Sequence, residues 1–190
     1  TENVAWMYHK IRWFRGRNAM IYAHAQDTVQ EIFGMVKRFH VNLPEPLQIA
    51  TDKDNTEELG YAALDSRIRC QVAAHRDTGR GKTIHHALLD EADFYADPQT
   101  IFTGIVEAVP TTGPSSLVIA TTANGIGGWF HEHWQQMKRY KGKQFSGRYW
   151  YTVFLSWWWD PDCQSEPPHD WEPDDENRER MAQYKLTPRQ

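Results

Sequence analysis

The run RDTGRGKTIHHALLDEADFY, residues 76–95, holds two groups of side chains of the kind that handle phosphates. The first is Asp90-Glu91, which follows a pair of leucines. An acid at the end of an apolar strand can hold a hydrated magnesium ion, and its neighbour can orient the water that attacks a γ-phosphate. Asp90-Glu91-Ala92-Asp93 would equally suit the first turn of a helix, where acids favour the positive end of the dipole. From these four residues the two readings stand level. Further on, TTANG (121–125) closes a second apolar run. The hydroxyls of Thr121 and Thr122 and the amide of Asn124 could sense a γ-phosphate and pass the signal along. An ordinary Asx or Ser/Thr turn uses the same residues.

The second group, Gly81-Lys82-Thr83, copies the end of a phosphate-binding loop. That loop needs Gly-x4-Gly-Lys-[Ser/Thr], so that bare backbone amides wrap the phosphates at a helix N-terminus. Arg76 stands where its first glycine belongs. A helix opening after Thr83 would also collide with the apolar strand that must deliver Asp90. We read residues 76–83 as a Gly-rich turn before a strand.

The elements that would position these groups follow from periodicity. Residues 1–15 place Val4, Trp6, Met7, Ile11 and Phe14 at helical spacing. NAMIYAHA (18–25) predicts a buried strand. Residues 27–43 predict a helix capped by Asp27 and stopped by Pro44 and Pro46. Strands are expected over 66–74, 83–91, 116–125 and 148–159, with helices from Asp97-Pro98 to Val109, over 127–140 and over 176–186. Strands alternating with helices predict an α/β domain with functional loops at the strands' carboxyl ends.

Composition sets the bounds. With 190 residues and 40% hydrophobic side chains, the chain can bury a real core. It has no apolar run near the ~20 residues of a membrane span. Cys70 and Cys163 read as reduced thiols. The net charge of −4 conceals a division. Basic clusters occur at Lys10–Arg17 and Lys138–Arg148, suited to phosphate contacts or to a solvated face. The stretch 160–179 carries nine acids against Arg178 alone, and residues 160–175, rich in Pro, Asp and Glu, read as a linker. His131-Glu132-His133 lacks the i, i+4 spacing of a zinc pair on a helix and reads as exposed polar residues flanking buried Trp129, Phe130 and Trp134. Trp157–Trp159 fits a domain seam better than base stacking.

Taken in order, these segments resemble the ATPase domain of the large terminase subunit of tailed phages. GRGKTIHHALLDEADFY resembles that family's Walker B stretch, and VIATTANGIGGWFHEHW its coupling motif with the helix after it. NAMIYAHAQDTVQEIFGMVKRFHVNLPEP resembles its second strand and helix, YTVFLSWWWDPD the close of its ATPase core, and MAQYKLTPRQ the approach to its nuclease domain. The resemblance spans essentially the whole chain. It implies a three-layer α/β/α P-loop NTPase core of the ASCE class, with a mainly parallel sheet, over residues 1–159. An acidic linker and short helix would occupy residues 160–190.

The activity so implied is ATP hydrolysis, with Mg²⁺, that drives double-stranded DNA into a procapsid. The implied partners are duplex DNA, the portal protein, the small terminase subunit and further copies in a ring, in the host cytoplasm and away from membranes. Asp90 would hold Mg²⁺ through water, Glu91 would be the catalytic glutamate, and Thr121, Thr122 and Asn124 would form the coupling motif. Arg80 stands where the family can place an arginine finger, with Arg76 as the spare; a turn residue facing water is the other reading of Arg80.

The sequence departs from the family in four ways. The phosphate-binding loop is absent, which implies a chain starting just past that loop's lysine, and the nuclease domain is absent as well. His85 and His86 interrupt a strand expected to be apolar, and Ala120 stands where a glutamate is expected. The 190 residues alone are therefore expected to hydrolyse ATP negligibly. Two rivals remain. A DEAD-box-like helicase fits the letters of residues 90–93, although the aromatic strand and acidic linker speak against it. A catalytically inactive module that binds DNA or a portal ring is the other.

Overall fold

Every side chain of the strand Asn18–Ala23 after its first residue is buried. Ala19, Ile21 and Ala23 enter one core cluster, Met20 and Tyr22 another. A strand apolar on both faces needs cover on both, and that requirement organises the first unit of the chain. The computed structural model describes residues 2–73, 83–140, 143–145 and 147–189. In order these form α1 (Glu2–Trp13), β1 (Asn18–Ala23), α2 (Gln26–Val41), β2 (Lys53–Asp54), β3 (Glu58–Tyr61), β4 (Ser66–Val72), β5 (His86–Asp90) and α3 (Pro98–Ala108). They continue with β6 (Ser116–Ala120), α4 (Trp129–Arg139), β7 (Gln144–Phe145), β8 (Arg148–Tyr149) and α5 (Asp175–Tyr184).

Six strands form one sheet in the order β2-β3-β4-β1-β5-β6. The pairs β4–β1, β1–β5 and β5–β6 are parallel, and β2–β3–β4 is an antiparallel extension. One core cluster joins Met7, Ile11, Val29, Phe33 and Val36 of α1 and α2 to Ile21, Ile68 and Leu88. The other joins Ile101 and Ile105 of α3 to Met20, Tyr22, Ala87 and Leu89. Helices on both faces of a mainly parallel sheet make the three-layer α/β architecture that the sequence predicts. Each fully buried aliphatic side chain contributes ~1.5–3 kcal/mol relative to exposure. No described helix is long and apolar enough to cross a membrane.

The two unexpected histidines have structural tasks. His85 Nδ1 accepts from the Asn18 amide at 3.1 Å. His86 pairs with the Ser116 hydroxyl at 2.9 Å and sets its ring edge-on to Trp6 at 5.2 Å. They tie β5 to β1, β6 and α1.

Some boundaries differ from expectation. Asp27 is not the cap of α2: that position is Ala25, and Asp27 lies in the first turn, accepting from the Thr28 amide. Asp97 does cap α3, accepting from the Thr100 amide at 3.1 Å. The last strand of the 116–125 run stops at Ala120. The strand expected over 148–159 is confined to Arg148–Tyr149, paired with Gln144–Phe145. Residues 150–156 have strand-like composition but no ladder to any described strand, so no strand forms; Trp157–Trp159 make a short 3₁₀ turn. The hairpin-like β2–β3 extension was not foreseen, since β2 is two polar residues and β3 is four residues long with Gly60 inside it, although Leu59 and Tyr61 are buried. Glu58 holds it to β4 through Arg69, at 3.1 Å to both Nε and a terminal nitrogen.

Contacts divide the chain into Thr1–Trp150 and Tyr151–Gln190. In the second unit, α5 is capped by Asp174, which accepts from the Asn177 amide at 2.7 Å, and it ends at Lys185 in the left-handed region. Trp158 packs on Tyr184 of that helix.

Candidate active site

The β5–β6 register places Asp90 beside Ala120. The chain therefore leaves both strands at the same level, and Glu91 and Thr121 emerge side by side at the carboxyl rim. Glu91 adopts left-handed backbone angles, φ 52° and ψ 45°, and opens a 3₁₀ turn over Ala92–Phe94. For a residue with a Cβ this conformation costs ~1–2 kcal/mol. It is held by the Phe94 amide, which donates to the Glu91 carbonyl at 3.0 Å, and by the bonds of its own side chain.

Those bonds converge on one oxygen. Glu91 Oε2 accepts from the Thr122 amide at 3.2 Å, the Thr122 hydroxyl at 3.1 Å and the Thr121 hydroxyl at 3.3 Å. The Thr121 hydroxyl also lies 3.1 Å from the Thr122 carbonyl, so its single proton serves one acceptor at a time. No described donor bonds Oε1. One oxygen of the carboxylate is thus anchored and the other is left without a described donor, an arrangement suited to holding a water while the group stays oriented.

Asp90 is half-buried at the strand end, and no described donor bonds its carboxylate. Burial pushes its pKa up, the Glu91 charge adds to that shift, and His24 opposes it. A partly desolvated carboxylate with no described hydrogen-bond donor on it is a good partner for a divalent cation. Mg²⁺ commonly takes one or two carboxylates, with waters and substrate phosphates completing its shell. Asp90, with Glu91 beside it, fits that role. Among the described residues no cluster of three His, Cys, Asp or Glu could hold a metal by itself.

Of the predicted site residues, the structure brings together Asp90, Glu91, Thr121 and Thr122. Asn124 is exposed in the same loop and takes no part in the Glu91 bonds. Arg80 and Arg76 lie outside the described residues, as do Gly81 and Lys82.

Sequence reasoning missed Asp93. Its Oδ1 accepts from the Phe130 amide at 3.2 Å, at the start of α4, whose own cap position is Gly128 and supplies no side chain. The signal was legible in outline: an acid beside the pair, and a helix preceded by two glycines. Tyr95 was missed too. Buried, it donates its hydroxyl to the Tyr22 carbonyl at 2.9 Å and stitches the acid turn to the end of β1.

Two other expectations change. Arg148 is not a free member of the basic cluster, because its guanidinium donates to the carbonyls of Val106, Val109 and Pro110 at the end of α3. His133 is not a simple exposed flank: it stacks on Trp129 at 5.1 Å and meets Phe102 and Trp150 edge-on.

Comparison with known proteins gives the fold a precedent. The chain is similar in structure to the large terminase ATPase domain of Thermus phage P74-26, at 21% identity and a TM-score of 0.50. A point mutant of that domain matches at 20% identity and the same TM-score. Each match covers 70% of this chain, and this chain spans 57% and 58% of those two structures. No family model matches the sequence. No curated protein matches it either.

Proposed function

We propose that this chain is the ATPase core of a viral DNA-packaging motor, hydrolysing ATP to move double-stranded DNA into a procapsid. The observation that carries the proposal is the meeting of Glu91 with Thr121 and Thr122 beside Asp90 at the β5 and β6 ends, on a fold shared with a large terminase ATPase domain.

In this reading Glu91 orients the attacking water with Oε1 while the threonines fix Oε2. Asp90 holds hydrated Mg²⁺, which neutralises charge on the phosphates when bound. Thr121 and Thr122 register the state of Glu91 and pass it to the loop that follows. Asn124 belongs to that loop, and Arg80 would act on the nucleotide of a neighbouring subunit. Duplex DNA, a portal protein, a small terminase subunit and a ring of copies at the procapsid, in the host cytoplasm, complete the proposal.

The test is DNA-stimulated ATP turnover by the full-length protein and its Glu91→Gln variant. Loss of the carboxylate should lower turnover by ~10²–10⁴-fold while ATP binding persists. Full turnover by the variant would remove Glu91 from the role. Stimulation by RNA and not by duplex DNA would favour a helicase, and DNA binding indifferent to ATP would favour an inactive module.

A further inference from the structure

Glu91 and Asp93 sit on either side of buried Ala92 in a single turn, and they grip opposite ends of the same loop. Glu91 holds its start, at Thr121 and Thr122. Asp93 holds its end, through the Phe130 amide. Between the grips, residues 123–127 are exposed, and Ile126 is 93% accessible. Gly125 and Gly127 have φ of +88° and +99°, with nothing within 4 Å of where a Cβ would stand. The loop is thus open along its length and fixed at its ends. At the rear end the fit is close: a Cβ on Gly128 would lie 3.3 Å from Asp93 Oδ1.

From this arrangement, we infer that Asp93 is a positioning residue: with Glu91 it forms a two-carboxylate clamp that ties loop 121–128 and the head of α4 to the acid turn. The inference rests on the proposed ATPase reading and extends it. When Glu91 engages water and nucleotide through Oε1, Oε2 keeps the front grip and Asp93 the rear grip. α4 then follows the acid turn, and the threonines return to the same place each cycle. Without Asp93 the head of α4 keeps the Trp129 bond to Gln99 at 2.8 Å and its packing on Phe102, but these reach α3 and not the acid turn, and the loop's rear end is no longer in step with Glu91.

The experiment uses the full-length protein with Asp93→Ala, Asp93→Asn and Gly128→Ala, and Glu91→Gln as control. It records kcat, the KM for ATP, and hydrogen exchange at the Thr122 and Phe130 amides. Asp93→Ala should lower kcat about 10–100-fold, as small displacements of reacting groups do, with KM changed less than about twofold. Asp93→Asn, whose amide oxygen still accepts from Phe130, should restore most of the rate. Gly128→Ala should give a weaker version of the same defect, which covers the case in which Asp93→Ala folds poorly.

Exchange should quicken at both amides in Asp93→Ala. Quickening at Phe130 alone would mean that the two ends are independent and would overturn the inference whatever the turnover. Wild-type kcat in Asp93→Ala, with Glu91→Gln inactive, would sink the inference and spare the ATPase reading. Full turnover in Glu91→Gln would sink the ATPase reading, and the exchange result would then decide the clamp by itself.

Discussion

Thr122 gives both its backbone amide and its hydroxyl to a single oxygen of Glu91, 31 residues earlier in the chain. One residue therefore senses the carboxylate through two donors, one removable by substitution and one not. That asymmetry lets the orienting role be separated from the role in folding.

Thr122→Val removes the hydroxyl and leaves the amide bond. The expected result is a stability loss of ~0.5–1.5 kcal/mol, the net worth of one hydrogen bond, together with a fall in ATP turnover at nearly unchanged KM. Thr122→Ser should recover both. Chemical denaturation and steady-state kinetics on the three proteins check this; equal turnover in all three would detach Thr122 from the chemistry.

His86 gives the fold a pH dependence. Burial lowers its pKa to about 4, with the charges of Arg17, His85 and Lys10 pushing the same way. The unfolded chain then binds a proton near pH 6.5 that the folded chain refuses until about 4. Stability is fully present above pH 6.5 and falls as pH drops from there to about 4, on the order of 3 kcal/mol at most. His40, His85 and His133 are lowered by burial in the same direction. Urea melts across that range should show a shallower slope for His86→Gln; an unchanged slope would refute the assignment.

Arg148 closes the end of α3 through three carbonyls. Arg148→Ala should cost ~1–3 kcal/mol, because part-buried acceptors lose their partner. It should leave the salt dependence of DNA binding unaltered. Lys138 and Arg139, exposed on the last turn of α4, are the better candidates for phosphate contact. Replacing both with Gln should lower the salt slope by ~1–2 in log–log form; the reverse pattern would return Arg148 to the DNA-binding cluster.

Asp97, a helix cap, and Asp27, inside the first turn of its helix, can be set against each other. Asp97→Ala should destabilise by ~1 kcal/mol through loss of its bond to Thr100. Asp27→Ala should cost less, because Asp27 sits inside α2 and caps nothing beyond its neighbour. Thermal melts of the two variants compare them directly.

The parallel strands were legible because burial on both faces leaves an unbroken apolar signature, as in NAMIYA and HALLD. The acids at the end of β5 and the threonines past β6 could be found because strand ends in such sheets are where loops converge. What could not be read was anything set by pairing with distant residues. Residues 150–156 have the composition of a strand but no ladder partner among the described residues. The short strands β2 and β3 show the opposite case, forming from two and four residues, too few for a periodic signal, because β4 offers an edge. Asp93 escaped notice for a related reason, since its partner lies 37 residues away. The left-handed turn at Glu91 had no local sign, because neither glycine nor asparagine marks it.

The pairing of β5 with β6 runs through five rungs at one constant offset. Distance along the crossover outside the acid turn and α3, over residues 110–115, is therefore free to drift, since insertions there only lengthen a detour between fixed endpoints. Slippage by one rung is forbidden: it would present the methyl group of Ala120 to Glu91 and turn the hydroxyls toward the wrong side. Variation in this lineage should accordingly accumulate as gained or lost crossover residues, while the two strand termini stay locked in phase.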